Sequence, residues 1–205
     1  MSAQKTAREA KKSRLEEAQR TRDALVDAAM ELFVEEGLTK PSLDAICARA
    51  GFTRGAFYVH FATRDDLIAA VVEKAMGGFI DAMITTGEAG ADLATIVRAF
   101  AAAVRAGGFP FAGQVRGHQI MEACLRSPML RAKYLELLQR ARDRLSDTVR
   151  RGQEAGTIRP DVDSSAVAQL LLALVLGVQT ASELGAPYDA DRVAEDVLRM
   201  LGPNG

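Results

Sequence analysis

Gly51-Phe52-Thr53-Arg54-Gly55-Ala56-Phe57-Tyr58-Val59-His60-Phe61 is the stretch on which the fold turns. Gly51 tolerates a positive φ, so it suits a tight turn. Thr53 can cap a short helix running to about Phe61. Just upstream, Leu43, Ile46, Cys47 and Ala50 recur at helical spacing, with Ser42 as N-cap and Gly51 as stop. Asp44 falls in the first turn of that helix, where a negative charge suits the dipole. A longer helix precedes it. Leu25, Ala28, Ala29, Leu32 and Phe33 share one of its faces, and Gly37 ends it. Two short helices joined by Gly51-Phe52, after a longer one, read as a helix-turn-helix.

Leu43, Ile46, Ala50, Phe57 and Phe61 are expected to pack on Leu32 and Phe33. That leaves Thr53, Arg54, Gly55, Ala56, Tyr58 and His60 outside. Small residues at the start of the helix let its backbone approach a partner closely. The free N–H groups there favour phosphate. Arg54 is long enough to give a guanine edge two hydrogen bonds. Tyr58 and His60 can donate to phosphate oxygens.

From Ala28 to Leu67 the chain resembles the tetracycline-repressor (TetR-type) family of bacterial transcription regulators. The resemblance is sharpest over residues 51–61, followed by Arg64-Asp65-Asp66-Leu67 at the start of the next helix. It implies a three-helix DNA-binding domain with the helix at 53–60 in the major groove. It implies base contacts from Thr53, Arg54 and Ala56, with Gly55 allowing close approach. It implies phosphate contacts from Ser42, Tyr58, His60 and Arg64, the last standing where the family usually carries lysine. Lys40 joins this DNA-binding set on charge and placement alone. Cys47 replaces the family's common alanine at a core position. Pro41 replaces threonine or another small residue and stiffens the approach to the helix at 42.

Helical spacing continues beyond this region. Leu67, Ile68, Val71, Val72, Ala75, Phe79 and Ile80 mark a fourth helix from about Arg64. Leu93, Ile96, Val97, Phe100, Ala101 and Val104 mark a fifth, stopped by Gly107-Gly108. Pro110 can open a helix to about 126, and Pro128 another to about Glu154. Asp163 caps one through Leu184, and Asp189 starts a last one to about Leu201. The expected fold is all-α, with about nine helices. Residues 1–19 read as a basic, flexible N-terminal arm, 20–66 as the helix-turn-helix domain, and 67–205 as a larger ligand-binding and dimerisation domain.

Charge supports that division. The 205 residues carry a net charge of −1. Residues 1–22 nevertheless hold seven basic side chains against three acidic ones, the remainder 19 against 24. A basic leading segment on a mildly acidic body points to an anionic partner at the N-terminal end. Two cysteines make no disulfide framework, and no secretory segment opens the chain. The densest apolar run, Leu170 to Val178, is nine residues, where a membrane helix needs about 20. A cytoplasmic protein is expected. With two histidines and no metal-ligand spacing, phosphate-binding glycine motif or nucleophile elbow, no metal, cofactor or catalytic residue is expected.

The family's remaining properties apply to the C-terminal part. The resemblance implies that it binds a small-molecule effector and pairs two subunits, here through helices at about 163–184 and 189–201. Apolar residues surround Leu170–Val178 on every side, and Ala173, Gly177 and Ala181 allow close helix approach. Apolar candidates for a ligand pocket are Phe79, Met83, Phe100, Val104, Phe109, Phe111, Met121, Leu125, Leu138 and Leu174. Polar candidates are Arg98, Gln114, His118, Glu122, Tyr134 and Gln179. Such a lining suits a lipophilic or aromatic molecule. Double-stranded operator DNA, a second copy of the chain and that effector are the expected partners. The alternative reading is a small-molecule-binding helical protein whose DNA-binding part is vestigial. It would select no sequence from a random duplex pool.

Overall fold

The computed structural model describes the backbone of residues 2–84, 92–107 and 116–203, and the side chains of these apart from most before Lys11 and those of 76–84. Among the described residues there are nine helices and no strand. They are α1 (Ser2–Glu36), α2 (Leu43–Ala50), α3 (Arg54–His60), α4 (Arg64–Ile84), α5 (Leu93–Arg105), α6 (Gly117–Arg126), α7 (Pro128–Glu154), α8 (Ser164–Glu183) and α9 (Ala190–Leu201). The chain divides into two compact units, residues 1–71 and 72–205. The division falls within α4, five residues beyond the expected boundary. Leu67, Ile68, Ala70 and Val71 of α4 are all buried.

In the first unit the local signals act as read. Gly37 and Gly51 take φ of 87° and 75° and end α1 and α2. The Ser42 side chain accepts from the Ala45 N–H, and Thr53 from the Ala56 N–H. Thr63 and Asp66 cap α4 reciprocally, each side chain accepting from the other's backbone N–H. Residues 2–19, expected as a flexible arm, instead form one continuous helix with the rest of α1. From Lys11 to Arg20 its side chains are exposed.

In the second unit α7 packs along α8, α5 against α9, and α6 against both α7 and α8. The core joins Leu93, Val97 and Ala101 of α5 to Val149, Val167, Ala190 and Ala194, with Ile158 from the α7–α8 connection. Gln153 holds that connection by donating to the carbonyls of Arg159 and Val162. The helix expected from Pro110 begins at Gly117, and Pro110 lies outside the described residues. No side chain of its own caps α6. Glu183 of α8 does so from 65 and 66 positions away, accepting from the Gly117 and His118 N–H groups. A Cβ at Gly117 would lie 1.5 Å from Gln179 Nε2, so any larger residue there would displace the Gln179 side chain.

By length and composition α8 is a helix that could cross a membrane, although only about a quarter of its most apolar window is buried. Ser164, Gln169, Gln179 and Glu183 interrupt its apolar character. Leu170, Ala173, Gly177 and Leu184 are exposed on one stripe, with Leu174 and Ala181 half-buried at its edge.

Candidate nucleic-acid interface

α3 is a seven-residue helix held from below. Phe57 is fully buried, Phe61 nearly so, and their ring centroids lie 5.4 Å apart. Arg22 of α1 stacks over Phe61 at 5.3 Å. α2 is in turn tied to α1 by Arg49, which pairs with Glu31 and Glu35, each at 3.2 Å. The hydrogen bonds from Arg49 hold the Glu35 carboxyl below its ordinary range. From the sequence alone Arg49 reads as a solvated charge. Its two partners lie 14 and 18 residues upstream, one helical turn apart, and only the folded α1–α2 pair brings all three together.

With Phe57 inward, Thr53, Arg54, Gly55, Tyr58 and Val59 are exposed, and Ala56 and His60 are half-buried. Ser42 and Lys40 are exposed beside them in sequence. The cap bonds use the oxygens of Ser42 and Thr53 as acceptors and leave each hydroxyl proton free to donate. A Cβ on Gly55 would meet only Thr53 Oγ1, at 3.6 Å. Folding therefore does not require glycine there, although glycine costs a helix about 1 kcal/mol relative to alanine. Arg54 Nε rests 3.3 Å from Asp44 of α2, an ion pair in open solvent. Such a pair is weak, so the guanidinium is readily released to a better partner.

Arg64 departs from expectation. Rather than reaching outward to a phosphate, it is half-buried, with Nη2 donating to the Leu38 carbonyl at 2.6 Å and its guanidinium 5.7 Å from the Phe33 ring. Burial lowers its pKa. It braces the α1–α2 connection that carries Lys40. Val59, absent from the expected set, is the most exposed large apolar side chain among the described residues of the first unit. Its signal was available: at 100° per residue it lies opposite Phe57.

The C-terminal candidates divide. Tyr134 and Gln179 are buried and Leu138 half-buried, on the mutually packed α7 and α8. Burial pushes the Tyr134 phenol up to about 12. Val104 packs on the α5–α9 core, and Phe100 is half-buried. Arg98 turns outward and pairs with Glu195 of α9 at 2.9 Å, tying two helices rather than lining a pocket. Met121 and Leu125 are exposed, Leu125 at 80%. His118 and Glu122, four apart on α6, take different partners: His118 Nδ1 meets Glu183 at 2.8 Å, while Glu122 pairs with Arg126. Burial alone would raise the Glu183 pKa, but the bonds from His118 and Gly117 hold it low. The side chains of Phe79 and Met83, with Phe109, Phe111 and Gln114, lie outside the described set. Burial raises the pKa of both Cys47 and Cys124, which makes each a poor nucleophile. No cluster of three metal-ligating side chains occurs among the described residues.

Residues 25–71 match the model of the bacterial regulatory proteins of the tetR family. Residues 83–199 match the tetracyclin repressor-like C-terminal domain. The chain belongs to the tetracycline-repressor family. As a member it is a helix-turn-helix transcriptional regulator. The regulator UidR of Escherichia coli K12 is 29% identical, over 89% of this chain and 87% of its own. The structure of SmeT, the repressor of a Stenotrophomonas maltophilia multidrug efflux pump, is 28% identical over 87% of both chains, with a TM-score of 0.61. Salmonella enterica GusR shares the fold at 23% identity and a TM-score of 0.70, over 88% of this chain and 95% of its own.

Proposed function

We propose that this family member is a repressor. It holds a palindromic operator as a homodimer and releases it when a small lipophilic or aromatic molecule binds the C-terminal unit. The outer face of α3 carries this reading. It presents one long cation, a glycine that folding does not need and a phenol, over aromatics anchored in the core. Arg54 reads a guanine edge, and Thr53 and Ala56 touch neighbouring bases. Gly55 brings the backbone close, while Lys40, Ser42, Tyr58 and His60 meet phosphates. Such a regulator works in the cytoplasm, beside its DNA.

Pairing rests on α8. Leu170 is 70% exposed, and none of the described residues lies within 4 Å of a Cβ built on Gly177. An apolar stripe with a glycine at its centre, uncovered among the described residues, fits the same stripe of a second copy. Met200 of α9 is also exposed. The effector class draws support from SmeT, which has also been solved in complex with triclosan. Tyr134, Leu138 and Gln179 are the best-placed described candidates to meet such a molecule. α4 passes unbroken through the division between the units. Gly77-Gly78 weakens it near its middle, which suits a hinge coupling effector to operator by typically about 1–3 kcal/mol.

Selecting duplexes from a random pool with the full-length protein tests the proposal. Inverted half-sites with centres about 34–36 Å apart are expected, followed by release on screening apolar compounds. Failure to enrich any sequence at low ionic strength would overturn it and favour the vestigial reading. Removing residues 1–18 should flatten the dependence of log K on log salt, by about 0.9 for each phosphate that is no longer neutralised. An unchanged slope would show that the basic turns of α1 are passive.

A further inference from the structure

Val59 is 77% exposed. Nothing in the fold calls for a bare β-branched side chain there, and valine is a mediocre helix former. At 100° per residue, Gly55 and Val59 lie one turn apart, both roughly opposite the buried Phe57. They form the ridge of α3 that stands furthest from the core, with Arg54 and Tyr58 along one side and Ala56 and His60 along the other. Whatever α3 meets, it meets with this ridge first. In the major groove one base edge offers an apolar group, the 5-methyl of thymine. Arg54 cannot recognise it, having only donors to give. A valine can, provided the backbone comes near, and Gly55 leaves that approach open.

We propose that Val59 reads a thymine methyl in each half-site and so sets base preference beside Arg54. The proposal rests on α3 being the DNA-reading helix. The test uses the full-length protein and a duplex selected from a random pool. Each thymine is replaced singly by deoxyuridine, which removes the methyl and leaves every hydrogen-bonding group in place. The wild type should lose about fourfold in affinity at one thymine per half-site, the worth of one buried methyl group. Val59→Ala, which improves helix propensity and so should fold, should bind the thymine and uracil duplexes equally. Indifference of the wild type to every replacement overturns the proposal. So does a thymine–uracil difference that persists in Val59→Ala. Selection of no duplex would instead overturn the DNA-reading assignment of α3, and this proposal with it.

Discussion

Arg54→Ala should weaken operator binding about ten- to a hundredfold and flatten the preference at one base pair in each half-site. In the free chain the guanidinium rests on Asp44 in open solvent, an ion pair too weak to hold it from a guanine. On the proposed reading, a two-pronged hydrogen bond to the guanine O6 and N7 edge would be lost with the side chain, and no neighbour on α3 carries a second guanidinium to replace it. Tyr58→Phe offers the contrast. Its hydroxyl is read as a phosphate donor, so its removal should weaken binding to every duplex by a similar, smaller factor. Titrating the selected operator and its single-base variants against both proteins separates the two roles. Identical specificity profiles would refute them.

Leu170→Asp should convert a dimer of about 44 kDa, twice the 22.0 kDa chain, into a monomer at micromolar concentration. The carboxylate would be buried without a partner in the paired state, a cost of several kcal/mol. Within one chain the same side chain is exposed, so the melting behaviour of the isolated monomer should barely change. Operator affinity should fall steeply, because one half-site then binds alone. Sedimentation equilibrium with an operator titration reads both effects. A wild type that sediments as a monomer, or a variant that sediments as a dimer, would remove the pairing role of α8.

The chain order by itself determined the all-helical class, the positive-φ turn at Gly51, the caps at Ser42, Thr53, Asp163 and Asp189, and the exposure of Thr53, Arg54, Gly55 and Tyr58. These features are set within one or two helical turns, where a 3.6-residue period and local hydrogen bonds leave few choices. Val59 belonged to the same legible set and needed only the helical angle to be taken one residue further.

Folding in three dimensions decided the rest. Arg64 bonds a carbonyl 26 residues back, Arg98 a carboxylate 97 residues ahead, and Glu183 caps a helix more than 60 residues before it. Each pairing joins charged or polar groups far apart in sequence, on elements that only packing brings together. Spacing along the chain carries no information on which faces will meet. The same holds for the pocket candidates. Leu125 and Tyr134 are both pocket candidates on helices, one apolar and one polar, yet Leu125 points outward and Tyr134 is buried, because the packing of α6 on α7 and α8 fixes which face is covered.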